Sequence, residues 1–273
     1  MTRVATPGDD VRVAFVGAGP GEADLITLRG AARLQVADVV LFDSLADPAL
    51  RQLAPNARWL DVGKRGFTGV AHAPRGGGRE NTGQDTINAL LVKHAQSGVR
   101  VVRLKGGDPS VFGRLEEELE ALAAAGIECE VVPGVTAALA AAAATQRPLT
   151  RRGAGRSVAL TTAMTKTGEL VAGRHADTES FYMAGKQLAA LSRRLVAAGW
   201  PAETLALVVS RAGWPDQIAS EHSVATLGDA TVLHSGRPTI VTVGVGAAAV
   251  LTERDATSPA VPIPLAEEAT PRP

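Results

Sequence analysis

Two glycine-rich runs hold the residues best suited to chemistry: Gly17-Ala18-Gly19-Pro20-Gly21 and Leu104-Lys105-Gly106-Gly107-Asp108-Pro109. Glycine lacks the side chain that keeps backbone N–H groups away from a ligand, and a helix start adds positive potential. The second run also fixes an acceptor, Asp108, and a rigid Pro109 beside its glycines. Each run follows an apolar, strand-like stretch, residues 11–16 and 99–104, and leads toward a helix-like segment. Two such turns at strand carboxyl ends point to one ligand held at the edge of a parallel sheet.

A nicotinamide-binding unit fits part of this pattern. Asp43 stands about 20 residues past the first glycines, the position of a ribose-binding acid. The spacing Gly-x-Gly-Pro-Gly nevertheless departs from Gly-x-Gly-x-x-Gly, and Pro20 removes an N–H that a pyrophosphate would use. That reading also leaves Gly106-Gly107-Asp108-Pro109 without a role. The histidines at 72, 94, 175, 222 and 234 are scattered, so no metal is expected, and no Gly-x-Ser-x-Gly elbow suggests covalent hydrolysis.

The elements that must position these residues alternate along the 273-residue chain. Strands are expected at 11–16, 39–42, 99–104, 127–132, 157–162, 179–184 and 205–210, with helices at 24–36, 82–96, 116–125, 135–144 and 186–198. Thr82 reads as a cap, and Gly98 and Gly126 as helix stops. The segment 217–224 reads as a strand antiparallel with one at 239–244. Alternating β and α elements imply mostly parallel sheets covered on both faces. The arginine- and glycine-bearing segment 146–155 looks like a linker. The expected organisation is a disordered 1–10, an α/β domain over 11–148, a second over 149–251, and a disordered tail over 252–273, with a long loop at 67–83.

Lys plus Arg equals Asp plus Glu at 28 each, so no global field draws in nucleic acid or a membrane surface. The single cysteine, Cys129, lies in an alternating run and reads as a buried structural thiol in a reducing compartment. The chain opens with no signal-like segment. It holds no apolar run of the roughly 18 residues a membrane span needs, so a cytoplasmic protein is expected.

Taken in order, residues 16–21, Gly63-Lys64-Arg65, 104–114, 132–137, Pro148-Leu149-Thr150 and Tyr182-Met183 resemble the uroporphyrinogen-III C-methyltransferase family, over roughly residues 11–250. The resemblance implies two α/β domains with an active-site cleft between them, in a homodimer. It also implies S-adenosylmethionine as methyl donor and a cyclic tetrapyrrole, uroporphyrinogen III, as substrate, methylated twice to precorrin-2 for sirohaem or cobalamin synthesis. Carried residue by residue, the donor site comprises Pro20, Gly106, Gly107, Asp108, Val111, Thr136, Ala137, Met183 and Ala212. Asp108 suits the donor's ammonium, and Met183 suits packing on adenine. Arg114, Glu117 and Arg152 fall at substrate positions, Asp43 at the proton acceptor and Lys64 at the proton donor. Lys64, Arg65, Arg114, Arg147, Arg151, Arg152 and Arg156 together supply cations for a polycarboxylate. The chain departs from the family pattern at Ser44, where arginine is usual, and at Ala184 and Ala212, where glycine is usual. A later corrinoid precursor, nicotinamide-dependent oxidoreduction and a non-catalytic binding module are the competing readings.

Overall fold

The computed structural model describes residues 11–63, 83–164, 170 and 172–250. The expected N-terminal and C-terminal tails, Thr82 as a cap, Lys64, Arg65 and nearly all of the 67–83 loop lie outside the described residues.

The first sheet contains β1 (Val13–Gly17), β2 (Val39–Phe42), β3 (Arg58–Asp61), β4 (Val101–Lys105) and β5 (Cys129–Val132), in the order β3-β2-β4-β1-β5. Every pairing in it is parallel, with Val16 opposite Leu104 and Val132. The continuous apolar runs of β1 and β4 reflect burial on both faces. Ala14, Val16, Val40 and Leu104 pack with Leu34 and Leu50 on one side. Val13, Phe15, Leu41 and Val101 pack with Ile87, Leu91 and Leu122 on the other. These helical residues belong to α1 (Leu28–Gln35), the 3-10 turn Pro48–Leu53, α2 (Gln84–Gln96) and α3 (Leu115–Ala124). Parallel pairing brings the carboxyl ends of β1, β2, β4 and β5 to one edge.

The second sheet contains β6 (Val158–Thr162), β7 (Thr178–Tyr182), β8 (Leu205–Ser210), β9 (Ile218–Ser223) and β10 (Thr239–Gly244), in the order β6-β7-β10-β8-β9. The two sheets with their helices make two α/β domains. Here only β6 and β7 run parallel, which corrects the expectation of mostly parallel strands. Strand segment 217–224 is antiparallel as expected, but its partner is β8, which separates it from β10. The seven residues from Arg211 to Gln217 are too few for a helical crossover, so β8 and β9 pair directly.

Helix α5 (Leu188–Ala197) covers one face of this sheet through Leu188, Leu191 and Leu195. Helix α4 (Ala137–Ala144) lies against Leu207, Val209 and Ile240 on the other. Its alanines let it sit close to the strands, and it joins the chain following β5 to the second sheet.

Other differences have local causes. The helix expected over 24–36 is broken by an extended Ile26 and restarts at Thr27, whose hydroxyl accepts from Gly30 N at 3.1 Å. Gly83 occupies the N-cap of α2. Strand β3 escaped the sequence reading because its Arg-Trp-Leu-Asp run exposes both charged ends at a sheet edge. The segment 146–155 is no open linker. Arg147 is buried, and Arg151 and Gly155 close a bridged turn. Cys129 is half-buried on β5, and burial pushes its thiol pKa up.

Candidate active site

At the edge where β1 and β4 end, the two glycine runs bond to each other. Ala18 N donates to Lys105 O at 2.8 Å, and Gly107 N donates to Gly19 O at 2.7 Å. Gly134, following β5, presses on the same point. A Cβ there would lie 2.8 Å from Gly17 Cα and overlap the Gly107 carbonyl oxygen. Asp108 locks the arrangement: its Oδ2 accepts from Gly134 N at 2.9 Å and its Oδ1 from Ser110 N at 2.8 Å. The carboxylate is therefore a strut between two turns. Its remaining lone pairs stay available to a cationic ligand group.

Asp43, just past β2, has a similar double engagement. Oδ2 accepts from Gly106 N at 3.1 Å and Oδ1 from Leu45 N at 3.0 Å. These bonds turn it toward Gly106, in the run that carries Gly107, Asp108 and Val111, and each oxygen retains a lone pair for a proton.

Beneath this loop lies a charged cluster the sequence reading missed. Glu118 is fully buried on α3, accepts from Arg103 Nε at 2.9 Å and pairs with Lys105. Burial is the main cause lowering the Lys105 pKa, Arg103 adds to it, and Glu118 opposes it. The only sequence signal was two basic residues inside an otherwise apolar strand, which reads as ordinary alternation until α3 supplies the buried acid.

The basic residues separate clearly. Arg114 forms a fork with Glu117 at 2.7 and 2.6 Å on the exposed start of α3, a hydrogen bond that raises the Arg114 pKa. Arg152 is exposed in the 151–155 turn, with no bond linking it to that pair, and Arg156 is also exposed. Two expected substrate cations are instead structural. Arg147 is buried and bonds Ala247 O and Glu221, and Arg151 bonds the carbonyls of Ala248 and Ala249. Placed so, they join chain segments 74 to 100 residues apart and have little freedom to meet a ligand.

The second half of the molecule supplies the opposite wall. Tyr182, the chain's single tyrosine, ends β7 and meets Thr136 Oγ1 at 2.7 Å and Ala138 N at 3.3 Å. Its ring packs on Phe112, with centroids 4.9 Å apart. Burial chiefly raises its pKa, so the phenol stays protonated at neutral pH. Thr136 and Ala137 begin α4, while Met183, next to Tyr182, stays 40% exposed in a left-handed conformation (φ 60°). Ala212 follows Arg211, also left-handed at φ 52°. Trp214 Nε1 donates to Pro20 O at 2.9 Å, bringing the Ala212 loop to the first glycine turn. These bonds link the segments that carry Pro20, Gly106, Gly107, Asp108, Thr136, Ala137, Met183 and Ala212, and Val111 N donates to Asp108 O at 3.2 Å. Lys64 lies outside the described residues.

A cavity of about 690 Å³, lined by His175, Asp177 and Trp200 among others, opens at the opposite end of the second sheet and includes none of them. Among the described residues no group of three or more His, Cys, Asp or Glu could hold a metal.

The family model for tetrapyrrole (corrin/porphyrin) methylases matches residues 12–230. This chain belongs to that family. Among its relatives is a uroporphyrinogen-III C-methyltransferase of Pseudomonas aeruginosa, 42% identical over 205 residues, covering 74% of this chain and 79% of that one. A siroheme synthase of Serratia proteamaculans is 40% identical over 87% of this chain, which spans half that protein's length. The crystal structure of uroporphyrin-III C-methyltransferase from Thermus thermophilus, complexed with S-adenosylhomocysteine, superposes with a TM-score of 0.72 and 32% identity, covering 86% of this chain and 98% of the other.

For this tetrapyrrole methylase, the sequence pointed to the glycine runs but not to Tyr182, Phe112 and Trp214 as the residues that join the two walls. Their partners lie in the other half of the chain, and aromatic residues at strand ends or in loops have no spacing signature.

Proposed function

We propose that this protein transfers methyl groups from S-adenosylmethionine to two carbon atoms of uroporphyrinogen III, giving precorrin-2. The observation that carries this reading is the junction of Gly106–Asp108, Gly134, Thr136, Tyr182 and Pro20 at one strand edge, in a chain 42% identical to a named enzyme of that activity.

The residues present suit the donor. At Gly107 a Cβ would meet nothing nearer than 3.8 Å, so the bare backbone there admits a close approach, and the exposed thioether of Met183 offers a soft surface for an adenine ring. Bound there, the sulfonium supplies an electrophilic methyl and leaves as a neutral thioether. The protein's part is to align an electron-rich pyrrole carbon with that methyl and to accept the proton released as the ring regains its conjugation. Asp43 is our candidate proton acceptor and Lys64 our candidate proton donor; each methyl gained costs the macrocycle one proton net, so any proton Lys64 delivers is matched by a second one released to solvent. Arg114, oriented by Glu117, and Arg152 would hold substrate carboxylates, since a guanidinium matches a carboxylate fork. We further propose a cytoplasmic homodimer, domains dividing near residue 150, and a product feeding sirohaem or cobalamin synthesis. Among the described residues no helix is long and apolar enough to cross a membrane.

The deciding experiment incubates the pure protein with methyl-labelled S-adenosylmethionine and enzymatically made uroporphyrinogen III. A dimethylated product is expected. Calorimetric binding of NAD tighter than of the methyl donor would overturn the assignment. Arg114→Ala and Arg152→Ala should each impair turnover while holding donor affinity within about threefold, because exposed cations act on the substrate side. Wild-type turnover in both would place the carboxylate-binding surface elsewhere.

A further inference from the structure

The turn at 17–21 and the loop at 211–217 are joined by two hydrogen bonds. Trp214 Nε1 donates to Pro20 O at 2.9 Å across 194 residues of sequence, and Glu22 N donates to Gly213 O at 2.7 Å. The fit leaves no slack. A Cβ on Gly21 would overlap the Gly213 carbonyl and lie 2.9 Å from Trp214 Cδ1.

The loop is held in shape from behind. Trp214 N donates to Arg211 O at 3.0 Å, and Gly213 N donates to Gln217 Oε1 at 3.1 Å. The Arg211 guanidinium lies 4.3 Å from the Trp214 ring centroid and bonds Asp216 Oδ1 at 2.7 Å. Asp216 also takes Arg237, which in turn donates to Ser210 Oγ at 3.0 Å. One indole N–H is therefore aimed at one carbonyl by two arginines and a carboxylate. The indole belongs to none of the buried apolar clusters, so its bulk serves the loop contact and not a core.

We infer that Trp214 is a positioning residue for the methyl-donor site, with its indole N–H setting the separation between Pro20 and Ala212 on the two sides of that site. The inference rests on the proposed reading of the site as donor-binding. A hydrogen bond between loops fixes spacing at little expense to folding, because either loop can instead bond water when apart. Substrate carboxylates, met by exposed cations on α3 and the 151–155 turn, should not sense its loss.

The test is Trp214→Phe, which keeps an aromatic ring and removes the donor. Calorimetry with S-adenosylhomocysteine should show binding about five- to tenfold weaker than wild type, the scale of one hydrogen bond. KM for uroporphyrinogen III should stay within about twofold, and the melting temperature should hold within a few degrees. Asp216→Asn, which keeps Trp214 and loosens its support, should weaken binding in the same direction by a smaller factor, and it serves if the Phe variant does not fold. Unchanged affinity in both variants, with the wild type binding normally, overturns the inference alone. So does a fall in affinity matched by a large fall in melting temperature, which marks a purely structural role. A wild-type protein that does not bind S-adenosylhomocysteine overturns the donor-site reading and this inference with it.

Discussion

On the first-sheet side of the candidate site the chain approaches itself through glycine, where Gly17 and Gly134 leave no room for a Cβ on either. On the second-sheet side it turns through larger residues in left-handed conformations, Met183 at φ 60° and Arg211 at φ 52°, each followed by a buried alanine, Ala184 or Ala212. Phe112 and Arg114, in the loop between the walls, are left-handed as well. The two solutions place their free-energy cost differently. Glycine loses more chain entropy on folding, whereas a left-handed non-glycine residue stores about 1–2 kcal/mol of strain in the folded state. Strain persists only where surroundings over-determine it, and three of these residues have such restraints. Phe112 packs on Tyr182, Arg114 is forked to Glu117, and Arg211 is clamped by Asp216 over Trp214. The comparison teaches that the glycine wall is fixed by space and the opposite wall by restraint.

The largest effect should come from filling that space. Gly134→Ala drives a Cβ into the Gly107 carbonyl and should destabilise the protein by about 3 kcal/mol, with donor binding lost, read by chemical denaturation and calorimetry. Near-wild-type stability would mean that the glycine wall is pliable and the contrast false.

Asp43→Asn comes next. As general base, Asp43 should contribute about a hundredfold to turnover. An amide cannot satisfy both Gly106 N and Leu45 N, so a small stability loss of about 1 kcal/mol should accompany near-normal donor binding. Full turnover in a steady-state assay would reduce Asp43 to a strut of the turn.

The restrained wall has a pH signature. His234 is fully buried between Ser210 and Ser220, and burial first, then His222 and Arg237, lowers its pKa to about 4. The fold therefore holds it neutral while the unfolded chain protonates it near 6.5. Its contribution is complete above about pH 6.5 and is lost as pH falls toward about 4. Melting curves over that window should fall less steeply for His234→Gln. Parallel curves would mean that His234 does not carry this pH dependence.

The smallest effect is a control. Gln146 is left-handed at φ 53° but exposed at the end of α4, so Gln146→Gly should stabilise by about 0.5 kcal/mol with activity unchanged. Met183→Gly should relieve similar strain yet weaken S-adenosylhomocysteine binding several-fold. Equal outcomes at the two positions would show that left-handed residues at the site have no functional meaning.

Much of the first wall was legible. Apolar runs bounded by glycine place β1 and β4, and residues such as Gly98 and Gly126 end helices at positive φ where expected. The second wall was legible only as short runs. Tyr182-Met183 stood out as a motif, but nothing local marks Met183 or Arg211 as left-handed, and Arg211 N finds a partner, Pro238 O at 2.8 Å, well beyond its own loop. The basic residues show the same limit. Arg147 and Arg152 look alike in sequence, and one is buried against Glu221 and Ala247 while the other is exposed.

The sequence by itself determined which segments become strands and helices in most of the chain, because burial on two faces requires apolar runs and a turn at close approach requires glycine. It also determined the chemistry on offer at the strand edge: glycine backbone, Asp43 and Asp108. Only the tertiary structure decided that β9 pairs with β8, that α4 covers the second sheet, and that Trp214 reaches Pro20. Strand direction, helix docking and contacts across 194 residues depend on which surfaces meet once the chain is compact, and no local pattern encodes that choice.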